Sequence, residues 1–281
     1  MGKCWLYNKN VLITGASGGL GFSVAKKLIE KYDCNVLGIA RNQAKIESAK
    51  QSLGDKKDKF SYLLHDVSTR ESWEKIRDEL EKIDFKPDVL INNAGFMLPF
   101  AKFHKYSDQE IDEIVNTNFL SVVYGTKTLL PLILQSENPA IVNVSSAAGV
   151  CAVVGESMYC ATKFAVKGFT ETLQQDYKKQ LYIGGIYPGF IRTDILNRQN
   201  GKDKNNKLIN MIMMPVNKAT KKIVKGIKRR RKRIVISFTG KFMDFFGRLF
   251  PKFTPSIIRK VLKISKLDLF EEVFEFKENK K

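Results

Sequence analysis

Two groups of residues in this chain have types and spacing suited to chemistry. The first is Thr14-Gly15-Ala16-Ser17-Gly18-Gly19-Leu20-Gly21. It follows an apolar, strand-like run at 10–14 and leads into a helical pattern from Leu20 through Val24, Leu28 and Ile29. Glycines at a strand-to-helix turn let the backbone bend tightly and approach a ligand, while the helix N-terminus attracts a pyrophosphate. A glycine turn can also be purely structural, but the TGxxxGxG spacing is more specific than a lone GxGxxG. The second group is Tyr159 with Lys163, four residues apart and so on one helical face. A phenol with an ordinary pKa of about 10 is a poor proton shuttle at neutral pH. A neighbouring ammonium and an oxidised nicotinamide favour the phenolate. Ser146 lies thirteen residues before Tyr159, after the apolar run 141–145.

The second strand-like run ends in Gly38-Ile39-Ala40-Arg41-Asn42. An NAD site places an acid near this point to hold the ribose 2′-hydroxyl, whereas a base suits a 2′-phosphate. Here the acid is missing and Arg41 is present, so the expected cofactor is NADP(H) rather than NAD(H). The bland alternative is a solvated arginine at a strand end.

The elements that must position these groups alternate. Apolar runs at 10–14, 35–40, 61–64, 88–92, 140–145 and 182–187 read as strands, with 234–238 as a seventh. Helical patterns lie between them, among others at 72–82, 108–130 and 159–179. Continuous apolar strands separated by helices predict an α/β fold: a doubly wound parallel sheet of about seven strands, covered on both faces.

Composition narrows the function classes. The chain has 281 residues and is 43% hydrophobic and 27% charged, a globular profile. Its four cysteines form no CxxC pair and there are only two histidines, which argues against a structural zinc site and a disulfide framework. No apolar run reaches the length of a membrane span, and a strand and glycine turn begin where a signal peptide would lie. Leu6 occupies the position at which a myristoylation signal needs Ser or Thr. The expected location is the cytoplasm. The net charge of +19 is uneven: residues 1–201 carry 25 basic and 22 acidic side chains, and residues 202–281 carry 23 and 7.

In sum of motifs and order, residues 8–195 resemble the short-chain dehydrogenase/reductase family. The resemblance rests on the glycine turn, Asp66-Val67, Asn92-Asn93-Ala94-Gly95, Asn118, Ser146, the Tyr159/Lys163 pair and Tyr187-Pro188-Gly189-Phe190-Ile191-Arg192-Thr193. It implies a Rossmann-type fold and hydride transfer between a nicotinamide and a carbonyl or alcohol. Tyr159 would be the general acid/base, Ser146 would bind the substrate oxygen, and Lys163 would hold the nicotinamide ribose and lower the tyrosine pKa. Asn118 would position a water that extends the proton relay. The cofactor would contact Gly15, Ser17, Gly19, Leu20, Gly21, Arg41, Asp66, Val67, Asn93, Ala94, Gly95, Tyr159, Lys163, Pro188, Gly189, Ile191 and Thr193. Ser145, Cys151 and Cys160 read as packing. One departure is Ser17-Gly18, where NADP-using relatives often carry a second base, so Arg41 would discriminate alone. NADPH favours reduction in cells. A homodimer or homotetramer is implied.

The catalytic domain is placed at 1–239, within which the resemblance implies a substrate lid at about 194–215. Met211-Ile212-Met213-Met214 in the lid, and Phe96, Met97 and Leu98 after the NNAG segment, suit a lipophilic carbonyl substrate; the methionines equally fit helix packing. Residues 240–281 form a basic amphipathic helical extension. Phe242, Phe245, Phe246, Leu249 and Phe250 share one helical face; Pro251 and Pro255 then break the helix, and Ile257, Ile258, Val261, Leu262 and Ile264 start a second stretch. Such helices suit an anionic membrane interface or pack on the domain or a partner subunit. The run Lys228-Arg229-Arg230-Arg231-Lys232-Arg233 comes without a nucleic-acid-binding module, so nucleic acid is not the expected partner. Two other readings stand beside the reductase: a catalytically idle NADP-binding sensor or scaffold, and a moonlighting RNA binder.

Overall fold

The computed structural model describes residues 4–193 and 213–275. Seven parallel strands form the main sheet: β1 (Asn10–Thr14), β2 (Asn35–Ala40), β3 (Phe60–Leu64), β4 (Val89–Asn92), β5 (Ala140–Val144), β6 (Tyr182–Pro188) and β9 (Arg233–Ile236). Their spatial order is β3-β2-β1-β4-β5-β6-β9. Two short strands, β7 (Ile191–Arg192) and β8 (Met214–Pro215), pair with each other beyond the end of β6. The strand order reverses between β1 and β4, and an open α/β sheet binds its ligand at the carboxyl ends of the strands flanking such a switch.

Residues buried on both faces explain the continuous apolar strands. On one face α1 (Gly19–Tyr32) and α7 (Val216–Lys228) bury Val24, Leu28, Ile29, Ile223 and Ile227 against β1, β2 and β6. On the other, α3 (Arg70–Lys82) and α5 (Ser121–Ile133) bury Trp73, Ile76, Leu129 and Ile133. Helix α2 (Gln43–Gln51) escapes the apolar pattern because only Ile46 on it is buried.

The long helix expected at 108–130 is three pieces. Helix α4 (Asp108–Val115) starts with a Ser107/Glu110 capping box, and a π-turn at Asn116–Leu120 separates it from α5. Helix α6 (Ser157–Asp176) carries Tyr159 and Lys163. After β9 come α8 (Phe238–Leu249), α9 (Phe253–Ser265) and α10 (Glu271–Phe274). Pro255 does not end a helix as expected. It lies in the first turn of α9, where its missing N–H has no intrahelical partner to lose.

The region beyond 239 packs on the body of the chain, one of the placements its sequence left open. Met243, Leu267, Phe270 and Val273 share an apolar cluster with Phe96, Phe100 and Cys151. Lys102 and Lys105 form ion pairs with Glu275 and Glu272. The lid expected at 194–215 lies outside the described residues except for 213–215. No described helix is long and apolar enough to cross a membrane.

Candidate active site

The carboxyl ends of β1, β4, β5 and β6 open into a cleft of about 1010 Å³. One wall is the glycine turn. Gly15 has φ +66 and Gly19 has φ +53, backbone that a side chain strains. A Cβ on Gly21 would run into the carbonyl oxygen of Gly15, so the turn closes only with glycine there. The NNAG segment is laced to this turn. The Asn93 and Ala94 amides both donate to Thr14 Oγ1 at 2.9 Å, and Asn93 Nδ2 donates to Thr14 O at 2.9 Å. Asn92 points the other way, into the sheet, where its Nδ2 donates to Asn143 Oδ1 at 2.8 Å.

Every residue expected to contact the cofactor lines this one cleft. Beyond Pro188-Gly189, Thr193 comes back to the glycine turn, 3.8 Å from where a Gly19 Cβ would stand. This glycine cradle and helix N-terminus fit a pyrophosphate, so a dinucleotide is the group the residues present can hold. At the far end Arg41 is exposed and pairs with Asp66 at 3.5 Å. Burial raises the Asp66 carboxyl, but Ser68 and Arg41 outweigh it and hold the group below its ordinary value. Lys45 lines the same end, on the first turn of α2, whose N-cap Asn42 accepts from the Lys45 amide at 2.8 Å. Lys45 was missed from sequence: four residues beyond Arg41, it looks like any solvated lysine until the helix start is known.

At the other end Ser146, Tyr159 and Lys163 meet. Ser146 Oγ accepts from the Ala148 amide at 3.1 Å and donates to Pro188 O at 3.4 Å. Lys163 Nζ lies 5.7 Å from the Tyr159 ring centre and donates to Val144 O at 3.1 Å. Burial drives the Lys163 pKa down to about 8. Burial first, then the Glu156 charge, drives the Tyr159 phenol above its ordinary value, against a lowering hydrogen bond with Ser146. Desolvation is thus the largest influence on this pKa within the protein's own framework. The phenol stays protonated at neutral pH.

Asn118 is the one expected residue that does not line the cleft. It is fully buried behind it. Its Oδ1 accepts from the Phe96 amide at 2.9 Å and its Nδ2 donates to Phe96 O at 2.8 Å. The amide is thus committed to holding the segment after Gly95. Its place in the π-turn is typical of such insertions, which gather at functional sites. Ser145 is structural as expected, donating to Lys163 O at 2.7 Å and pinning α6 to β5. Cys151 and Cys160 are buried thiols raised by burial to about 11 and about 12, which marks them as packing rather than nucleophiles.

Glu156 was not anticipated. It lines the cleft one helical turn before Tyr159 and is only 5% exposed. No hydrogen bond or ion pair engages its carboxyl among the described residues. An acid at a helix N-terminus is ordinarily favoured as the anion, but burial pushes this one from 4.5 to about 8. An acid near a helix start is commonplace in sequence, and only the fold shows that it faces inward. Met243 of α8 also lines the cleft, as do Phe96, Met97 and Val153, giving the tyrosine end an apolar lining.

Residues 9–204 match the family described as short chain dehydrogenase. The NADPH-dependent pterin aldehyde reductase of Arabidopsis thaliana is 29% identical over 188 residues, covering 67% of this chain and 77% of that protein. The 3-oxoacyl-(acyl-carrier-protein) reductase FabG of Chlamydia muridarum is 32% identical over 206 residues, covering 71% and 81%. The structure of a short-chain dehydrogenase from Sphingobium yanoikuyae in complex with NADPH shares the fold, with a TM-score of 0.73 at 22% identity over 92% of this chain and 96% of that one. The matched region holds the glycine turn, the NNAG segment, Ser146 and the Tyr159/Lys163 pair, all drawn to one cleft, and the chain belongs to the short-chain dehydrogenase family.

Proposed function

We propose that this chain is an NADP(H)-dependent oxidoreductase that reduces a lipophilic ketone or aldehyde. The observation that carries the reading is the placement of Ser146, Tyr159 and Lys163 at one end of a cleft whose other end offers a glycine cradle with Arg41 and Lys45. A bound NADPH would supply the hydride. Arg41 and Lys45 would hold its 2′-phosphate, and Gly15, Ser17, Gly19, Leu20 and Gly21 its pyrophosphate. Asp66, Val67, Asn93, Ala94 and Gly95 would flank the adenosine and ribose, and Pro188, Gly189, Ile191 and Thr193 the nicotinamide. Two relatives support this cofactor: the Arabidopsis reductase is NADPH-dependent and the Sphingobium enzyme binds NADPH.

Ser146 would donate to the substrate oxygen and Tyr159 would deliver a proton to it. A buried, protonated phenol suits the reductive direction, since it has the proton to give. Lys163, an ammonium below about pH 8, would stabilise the phenolate left behind. Asn118 acts through Phe96 and is a positioning residue. Phe96, Met97, Val153 and Met243 favour an apolar substrate body. The resemblance also carries self-association into a homodimer or homotetramer, which light scattering checks. The functional test is a screen of long-chain ketones, retinal-like aldehydes and steroids with NADPH and with NADH. Turnover with NADPH supports the proposal. Tight NADPH binding without turnover of any carbonyl would favour the idle sensor.

A further inference from the structure

Sixteen large apolar side chains are exposed among the described residues, and ten of them lie between Phe238 and Ile264. The amphipathic face of α8 is therefore not the face that packs on the protein. Its buried positions are Gly240, Met243 and Gly247. A Cβ on Gly247 would stand 2.7 Å from Cys151 Cβ, so the helix backbone rests directly on the core. The aromatic side faces out. The Phe242, Phe246 and Phe250 rings follow one another along the helix with centres 4.7 and 6.5 Å apart. Phe245 is 60% exposed and Phe253, just past the corner, 69%. Thr254 Oγ1 donates to Phe246 O at 2.9 Å across that corner and ties α9 to α8. Helix α9 repeats the arrangement: Ile258 and Leu262 turn inward, while Ile257, Val261 and Ile264 are exposed.

The charges around this face choose its occupant. Residues 238–266 hold seven basic side chains and one acidic one. The seven, Lys241, Arg248, Lys252, Arg259, Lys260, Lys263 and Lys266, are all exposed. The single acid, Asp244, is spent on Arg233, whose Nε donates to it at 3.0 Å. A second copy docked here by two-fold symmetry would bring like charge against like charge. A polyphosphate would satisfy the cations but leave the phenylalanines in water. An interface with anionic headgroups and an apolar interior satisfies both at once.

We infer that the α8–α9 face docks this enzyme on an anionic lipid surface, with its phenylalanines at the headgroup boundary and its lysines and arginines against the phosphates. The face goes beyond the proposed reaction, but the two meet in α8, which presents Met243 to the cleft on one side and its phenylalanines to the bilayer on the other. An apolar carbonyl compound dissolved in that bilayer would lie one helix away from the catalytic tyrosine.

The test is co-sedimentation of the full chain with phosphatidylcholine vesicles, with and without phosphatidylserine. The wild type should sediment only with the anionic vesicles, and less as salt is raised. The Phe245→Ser/Phe253→Ser variant should lose roughly tenfold in affinity per phenylalanine, and Lys252→Glu/Lys263→Glu should also lose binding. Phe103→Ser, an exposed phenylalanine elsewhere, should change nothing. Turnover of a water-soluble aldehyde, measured on each variant, reports the active site separately from the membrane face. Three outcomes overturn the inference: no sedimentation with either vesicle, sedimentation indifferent to phosphatidylserine, or salt-sensitive RNA binding in place of lipid binding. Conversion of a dimer to a monomer by the double phenylalanine variant, without lipid binding, would assign the face to a second copy.

Discussion

Replacing Glu156 by Gln should make the protein more stable at alkaline pH and leave it unchanged at acid pH. The carboxyl is buried without a partner among the described residues, and its pKa moves from 4.5 to about 8. Below pH 4.5 the folded and unfolded chains both hold the proton, and burial costs nothing in charge. Between 4.5 and about 8 the unfolded chain releases the proton while the folded one keeps it, so unfolding is progressively favoured. Above that window the cost is complete and the curve levels off. Each pKa unit is worth about 1.4 kcal/mol, which sets a ceiling of about 5 kcal/mol. Water entering the cleft relieves much of this, leaving roughly 1–3 kcal/mol. At roughly 2–4 °C of melting temperature per kcal/mol for a chain of this size, the variant should melt about 2–12 °C above wild type at pH 8.5 and within about 1 °C at pH 4.5. Calorimetric scans of both proteins across that range decide it. A melting difference that stays constant with pH would refute the claim that Glu156 is held as a neutral acid.

Tyr159→Phe should lower turnover by roughly 10²–10⁴-fold while NADPH still binds, as read by quenching of protein fluorescence; near-normal turnover would remove Tyr159 from its role. Arg41→Ala should reduce the preference for NADPH over NADH by roughly 10–100-fold, the value of one charge-assisted hydrogen bond, and Lys45→Ala should reduce it further; an equal loss for both cofactors would show that neither side chain reads the 2′-phosphate. Gly95→Ala should depress turnover without unfolding the chain. Its Cβ would stand 3.0 Å from Asn118 Oδ1 and 3.3 Å from Lys163 Nζ, so these side chains must give way; unchanged kinetics would show that their placement does not matter.

What the sequence makes legible follows the strength of its local physics. Strands β1 and β2 are read to the residue, because each apolar run is bounded by polar groups. The edge strand β9 is displaced by one or two residues, since Arg233 reads as part of the basic run although its side chain is tied to Asp244 and Glu171. The NNAG and YxxxK motifs are visible because particular residue types must stand at fixed spacings. Glu156, Lys45 and Met243 are not, since their meaning depends on which wall of a cleft a common residue type faces. The extension beyond 239 shows both sides of this limit. Its amphipathic period is plain in the residues, but which stripe is buried is settled by Gly240 and Gly247, the small positions at which a helix can lie close, and not by the phenylalanines.

The π-turn at Asn116–Leu120 sets the phase of everything after it. One extra residue in a helical turn rotates the downstream helix by roughly 100° relative to an uninterrupted one. Helix α5 is keyed to that rotation: a Cβ on Gly125 would collide with the Trp73 ring, at 2.5 Å from its edge, so that side of α5 must face α3 with no side chain at all. Removing a single residue from the turn would restore regular helix, yet it would swing Gly125 off the tryptophan and Asn118 off Phe96 together. The tyrosine end of the cleft and the packing of the sheet's far face are thus geared to one another, and a lineage that lengthened or shortened this helix by one residue would have to re-cut both.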